Sequence, residues 1–156
     1  MNFQIQSLAR ARFEHLFSQS VEALAEQNIA RETVQVPQST PCRISLQDAE
    51  VGESVLLLNY QHLPAASPFR SSHAIYVREH AENTALDINS VPEFFRHRLL
   101  SLRLFDHRHY MIDAEVVEGT ELESAVEQLF EHADAEYMHL HFAKPGCFAA
   151  RLERVG

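Results

Sequence analysis

Residues 137–154 have the sequence YMHLHFAKPGCFAARLER, two alternating segments separated by a Lys-Pro-Gly turn at 144–146. Alternation with a period of two is typical of β-strands, so we predict a β-hairpin. If the apolar side chains of both strands face one core, the remaining side chains share the opposite face. We therefore expect Cys147 on the same face as His139 and His141. The apolar set is Met138, Leu140, Phe142, Phe148, Ala150 and Leu152.

Further strands are predicted on the N-terminal side of this hairpin. Two alternating segments, 100–104 and 112–116, flank a polar turn and predict a second hairpin. An uninterrupted apolar run at 55–58 predicts a central strand, and shorter strands are expected at 33–36 and 42–46.

Helices are predicted where apolar residues follow helical spacing, within 13–24 and over about 122–130. Ser20 is a predicted N-cap, and Thr120 with Glu123 forms a predicted capping box. Because the connections between strands are short, antiparallel pairing is favoured. The prediction is a single α+β domain spanning 1–156, with a mostly antiparallel sheet of about seven or eight strands and two or three helices.

Charge and composition exclude several classes of function. The chain has 156 residues, 13 basic and 22 acidic side chains, and a formal net charge of −9. This acidity argues against a nucleic-acid or anionic-membrane binder, and no apolar run approaches the length of a membrane span. The first residues lack the features of a signal peptide, and there are only two cysteines. We therefore expect a cytoplasmic protein with two free thiols.

Four segments together resemble a known family. They are PCRISL at 41–46, VLLLNYQHLP at 55–64 followed by SPFRS at 67–71 and VRE at 77–79, DAEVVEG at 113–119, and HLHFAKPGCFAAR at 139–151. Their order and spacing resemble family 1203 of the domains of unknown function, which is bacterial and uncharacterised. The resemblance implies a bacterial, cytoplasmic protein and no particular activity. The chain departs from the family pattern at His73, where glycine is expected, and at Phe142, where asparagine is expected.

The 137–154 hairpin contains the first candidate site. His139 and His141 are two residues apart, so they project from one face of a strand. With Cys147 they are candidate catalytic residues, since imidazole can help to generate a thiolate nucleophile. A zinc or iron site is an alternative, although no metal is assigned to these residues. Two ordinary histidines and a buried thiol are the third interpretation.

The loop predicted at 60–72 contains the second candidate site. Arginine beside hydroxyl groups can hold a carboxylate or phosphate by charge-assisted hydrogen bonds. A surface loop whose arginines pair with acidic side chains is the alternative. Two other polar groups, Asp106–His109 and the pair Asp113 and Glu115, are interpreted as a solvated turn and a solvent-facing stripe. The candidate ligand-binding residues are Arg43, Tyr60, His62, Arg70 and Ser71.

These observations favour a domain that binds a small, anionic molecule, with a pocket near the His/Cys hairpin. Whether it is also an enzyme stays open, and no cofactor is indicated. The alternative is a non-enzymatic interaction or structural protein whose polar motifs only fix loops. Neither nucleic acid nor membrane is an expected partner, and the oligomeric state is not specified by the sequence.

Overall fold

The computed structural model describes all residues, 1–156, and confirms the α+β fold class with antiparallel sheets. The eight strands form two sheets rather than the one that was predicted, a sheet of five strands and a sheet of three. The chain groups into two compact units. The first contains 1–6, 61–73 and 85–156, and the second contains 7–60 and 74–84.

The first unit contains a five-stranded sheet in which every neighbouring pair of strands is antiparallel. The strand order is β1-β8-β7-β5-β6. Both hairpins predicted from alternation are present, and β7 has the predicted bounds. The strands are β1 (Asn2–Gln6), β5 (Leu99–Phe105), β6 (Met111–Glu118), β7 (Tyr137–Phe142) and β8 (Phe148–Val155).

One face of this sheet is apolar. Leu100, Leu102 and Leu104 of β5 lie opposite Phe142, Leu140 and Met138 of β7, and all six side chains are buried. Helix α3 (Leu122–Leu129) contacts β5 and β6. Four side chains of α3 are buried, as its 3.6-residue pattern predicts: Leu122, Ala125, Val126 and Leu129. None of the helices has the length and apolar composition needed to cross a membrane.

The predicted capping box of α3 is wrong. The helix begins after a short 3-10 turn at Gly119–Glu121, and its N-cap makes no side-chain hydrogen bond. Glu123 instead accepts two hydrogen bonds from the guanidinium of Arg96, at 2.5 and 2.8 Å. A bidentate, charge-assisted pair is stronger than a neutral capping bond, so the carboxylate is held by the arginine.

The second unit contains α1 (Glu14–Phe17), α2 (Val21–Ala25), β2 (Ala30–Thr33) and most of β3 (Ser54–Leu63) and β4 (Ser71–Arg78). These strands form the sheet β2-β3-β4. Ser20 caps α2 as predicted, since its hydroxyl oxygen accepts a hydrogen bond from the Ala23 N–H at 3.1 Å. The core of this unit includes Phe13, Leu16, Leu24, Cys42, Ile44, Leu56 and Ile75.

Two predicted strands of this unit are placed differently. The strand expected at 33–36 lies at Ala30–Thr33, just before the buried Val34. Residues 42–46 form turns flanked by isolated bridges instead of a strand. Leu46 has a positive φ of 52°, which ends any extended run there, and its N–H bonds the Cys42 carbonyl across a turn.

Strand β6 is one of the two edge strands of the five-stranded sheet, and β1 is the other. Its carboxylates bond the backbone of their own strand: Asp113 Oδ1 accepts from the Ala114 N–H at 2.8 Å, and Glu115 Oε1 accepts from the Val116 N–H at 2.9 Å. All four residues are exposed, so the prediction of a solvent-facing Asp113 and Glu115 stripe is confirmed.

Candidate functional site

A β-bulge in the β7–β8 hairpin decides which side chains share the polar face of the sheet. Pairing of even with even positions holds from Met138 to Leu140, which lies opposite Ala150. The register then shifts by one residue, so that His141 lies opposite Phe148 and Ala149 is the extra residue. Phe148 therefore joins the histidine face instead of the apolar face.

The same shift moves Cys147 away from the predicted position. Its carbonyl accepts a hydrogen bond from the Phe142 N–H at 2.9 Å, so Cys147 pairs with a residue of the apolar set. The prediction that Cys147 shares the face of His139 and His141 is wrong, because a one-residue slip exchanges the faces of a strand. Cys147 and Cys42 are both buried and not disulfide-bonded.

The polar face brings together three histidines, with the rings of Phe148 and Tyr137 beside them. His62, from the segment 61–73, stacks on Phe148 with ring centroids 5.4 Å apart and an interplanar angle of 9°. The centroid of His62 also lies 4.9 Å from that of His141 and 6.0 Å from that of His139. The structure thus joins one residue of the second predicted site to two of the first.

His141 has a fixed hydrogen-bonding pattern. Its Nδ1 lies 3.0 Å from the carbonyl oxygen of Gly146 in the hairpin turn. A carbonyl oxygen only accepts, so Nδ1 bears the proton and Nε2 has the lone pair of the neutral ring. Burial lowers the pKa of His141 to about 3, and the charge of Arg103 adds to this effect. His141 is therefore a neutral hydrogen-bond acceptor through Nε2.

His139 is a buried polar ring without a partner at one of its nitrogens. The side chain is 2% exposed, and Nδ1 is buried without a hydrogen bond. Burial lowers its pKa to about 2, and His141, His62, Arg151 and Arg103 lower it further through their charge. Buried polar atoms are almost always hydrogen-bonded, so a small molecule with a hydrogen-bonding group would be stabilised at this nitrogen.

Two arginines that were not among the predicted site residues flank His139. Arg103 of β5 and Arg151 of β8 both lie opposite His139, one on each side of β7. Arg151 pairs with Glu153 at 2.8 Å and lies over the Tyr137 ring at 3.9 Å. The alternation of β5 was the available signal, because it placed Arg103 on the polar face.

Arg103 differs from Arg151 in having no carboxylate partner. Its Nε donates a hydrogen bond to the Ser101 hydroxyl at 3.3 Å, and its side chain is half-buried. Burial lowers the pKa of this guanidinium from its ordinary value. A desolvated cation bonded only to a hydroxyl group retains donors for an anion.

The loop predicted at 60–72 is shorter in the structure, because 60–63 belong to β3 and 71–72 to β4, and most of its polar groups are bonded within the chain. The Ser71 hydroxyl donates to the Phe69 carbonyl at 3.0 Å, so its oxygen accepts from His62 Nε2 at 2.9 Å. Ser67 donates to the His109 carbonyl at 2.7 Å. Arg70 is exposed, and its guanidinium bonds no carboxylate or carbonyl of the chain. No group of the chain therefore anchors the Arg70 side chain, which is exposed to solvent, and its assignment as an anion-binding residue stays a prediction.

Two other predicted ligand-binding residues, Arg43 and Tyr60, belong to the second unit. Arg43 is 1% exposed and donates to the carbonyl of Pro41 at 2.5 Å. The Tyr60 hydroxyl accepts a hydrogen bond from Arg12 at 3.0 Å. These bonds fix local structure in that unit, as the alternative interpretation of the polar motifs predicts.

The segment Asp106–His109 forms the predicted turn between β5 and β6. Asp106 is nearly buried, and its Oδ1 accepts hydrogen bonds from the N–H groups of Arg108 and Tyr110 at 2.8 and 3.0 Å. The bond from Tyr110 is the main cause of the lowered pKa of Asp106. His109 has a φ of 63°, and its Nδ1 lies 2.8 Å from the Tyr137 hydroxyl.

No three histidine, cysteine, aspartate or glutamate side chains are placed to share a metal ion. On another part of the first unit, an open groove of about 420 Å³ is lined by Asp113, Glu115, Gln128, Leu129, Glu131 and His132. Its exposed carboxylates form no defined binding geometry.

Fold and site together define a class: an α+β protein whose five-stranded antiparallel sheet has histidines and arginines on its polar face. A family model described as "Protein of unknown function (DUF1203)" matches residues 39–154. The chain belongs to this family, which confirms the resemblance seen in the sequence. Comparisons with curated proteins and with solved structures gave no match.

Proposed function

We propose that this protein binds a small anionic molecule on the polar face of the five-stranded sheet, with Arg103 as the principal anion-holding residue. The observation that supports this most directly is the half-buried Arg103 guanidinium, which bonds a serine hydroxyl and no carboxylate. Six other arginines of the chain are ion-paired with acidic side chains: Arg10, Arg31, Arg78, Arg96, Arg108 and Arg151.

The neighbouring side chains favour an anion over a cation. Arg103 and Arg151 contribute positive charge on both sides of His139, while His139 and His141 stay neutral because they are buried. A cation entering this face would be repelled by the Arg103 guanidinium, which has no carboxylate partner, whereas Arg151 is paired with Glu153. In this proposal the site operates in a bacterial cytoplasm, which suits two buried free thiols.

A structural role is the competing proposal for the loop between β3 and β4. Ser67, Ser71 and His62 are bonded within the first unit, so these groups hold the loop in place. We therefore propose Arg103, on the polar face, as the ligand contact in place of Arg70.

The test uses Arg103→Gln with Arg70→Gln as a matched control, because Arg70 is exposed and has no role in the proposed site. Thermal unfolding would be followed with phosphate, sulfate, lactate and propionate at increasing concentration. A bound anion stabilises the native state by RT ln(1 + [L]/Kd), about 2.7 kcal/mol at 100 Kd. We expect stabilisation in the parent protein and in Arg70→Gln, and loss of it in Arg103→Gln.

Equal stabilisation of Arg103→Gln and the parent protein would contradict the assignment of Arg103. If no anion of the panel shifted the unfolding of the parent protein, binding of a small anion at this face would be refuted. Circular dichroism of Arg103→Gln without ligand checks that the variant retains the native fold.

A further inference from the structure

We propose that the preferred ligand is a small oxyanion with a hydroxyl group of its own, because the polar face offers both hydrogen-bond donors and fixed acceptors. Hydrogen phosphate and 2-hydroxycarboxylates have this chemistry. The inference rests on the proposed function, since it assumes that the anion binds at Arg103.

The acceptor that matters most is Nε2 of His141. The Gly146 carbonyl holds the proton of His141 on Nδ1, so Nε2 of the neutral ring has a lone pair. An oxyanion that has only acceptor oxygens would direct negative charge at this lone pair. An oxyanion with a hydroxyl group would donate a hydrogen bond there and still accept from Arg103.

His139 gives the second, independent observation. His139 is only 2% exposed, and its Nδ1 has no hydrogen-bond partner. A neutral imidazole has one donor and one acceptor nitrogen. Nδ1 needs a donor when it has the lone pair and an acceptor when it has the proton, so a ligand with both a hydroxyl group and acceptor oxygens satisfies it in either tautomer.

Position in the sheet brings these groups to one place. Arg103 lies directly opposite His139, and Ser101, two residues before Arg103, lies opposite His141. Arg103 is close enough to both rings for its charge to lower the pKa of each. Because both rings are almost completely buried, we infer that a ligand that contacts them is small, such as phosphate or lactate.

The experiment compares two pairs of anions matched in charge, measured by titration calorimetry at about pH 8. Phosphate is compared with sulfate, since both are dianions there and only phosphate retains a hydroxyl proton. Lactate is compared with propionate, which lacks the 2-hydroxyl group. We expect the hydroxyl-bearing member of at least one pair to bind about tenfold or more tightly than its partner.

The pair that shows the preference identifies the acid group, phosphate or carboxylate. His141→Phe, checked for native folding by circular dichroism, should reduce that preference to less than about threefold, because phenylalanine keeps an aromatic ring but has no hydrogen-bond acceptor. If His141→Phe does not fold, the comparison of anions in the parent protein decides alone.

Two results overturn the inference and are distinguishable. If sulfate binds as tightly as phosphate, propionate as tightly as lactate, and binding still requires Arg103, the hydroxyl preference is refuted and the proposed function stands. If none of the four anions binds the parent protein, the proposed function itself fails.

Discussion

Acid should destabilise this protein through its buried histidines well before its carboxylates titrate. His139 and His141 have pKa values lowered to about 2 and about 3 by burial, against 6.5 for an exposed histidine. Above pH 6.5 both rings are neutral in the folded and unfolded states. As the pH falls below 6.5 only the unfolded chain takes up these two protons, so stability is lost until the folded pKa values are reached.

The size of the effect follows from proton linkage. Between pH 6.0 and 5.0, an unfolded-state pKa of 6.5 and no protonation in the folded state give a loss of about 1.2 kcal/mol for each histidine. The pair therefore contributes roughly 2.4 kcal/mol, which is a large part of the stability of a typical domain. Carboxylates contribute little in this interval because most of them titrate below pH 5.

The assay is urea-induced unfolding at pH 6.0, 5.5 and 5.0, with the free energy of unfolding extrapolated to zero denaturant. His139→Gln should lose about half of the histidine-dependent slope, whatever its absolute stability. His15→Gln is the control, because His15 is an exposed residue of α1 and its replacement should leave the slope unchanged.

An unchanged slope in His139→Gln would refute the assignment of the pH dependence to the buried ring. If that variant does not fold, a nuclear magnetic resonance titration of the parent protein provides the test. A ring signal of His139 that titrates near pH 6.5 in the folded state would show that the ring is not desolvated.

Two further predictions concern packing. Gly119→Ala should lower the free energy of unfolding by more than about 3 kcal/mol, because a Cβ there would lie 1.7 Å from the backbone oxygen of Phe95. Gly52→Ala meets no atom within 4 Å and should cost only about 1 kcal/mol for its positive φ, so equal losses in thermal unfolding would contradict the steric argument. Cys42 and Cys147, 0% and 6% exposed, should react with a thiol reagent only after unfolding; rapid titration of two thiols in the native protein would disprove this.

The elements that were predicted correctly are those determined by local pattern. Alternation located the two hairpins of the first unit, helical spacing located α3, and the Ser20 cap followed from hydroxyl chemistry. The predictions that were wrong concern segments whose conformation is determined by tertiary contacts or by an unusual backbone angle. Arg96 binds the glutamate of the predicted capping box, and the positive φ of Leu46 turns a segment that has the composition of a strand.

The site was predicted only in part, because a β-bulge shifts the register of the β7–β8 hairpin. His139 and His141 were assigned to one strand face from their spacing, and the structure places His62 beside them. The bulge at Ala149 was not predictable, because Phe148, Ala149 and Ala150 are all small or apolar and suit either register. Arg103 could not be predicted as a site residue, because the sequence does not show which arginines lack a carboxylate partner.

The hydrogen bonds of Asp113 and Glu115 to their own strand have a consequence for molecules that meet one another in a crowded cell. An exposed edge strand is a template onto which a strand of another chain can add, which is how many aggregates begin. On β6, the N–H groups of Ala114 and Val116 are already bonded, so an incoming strand must first displace two carboxylates. It must also place its backbone beside two negative charges. The exposed β6 edge of the sheet thus resists pairing with strands of other molecules.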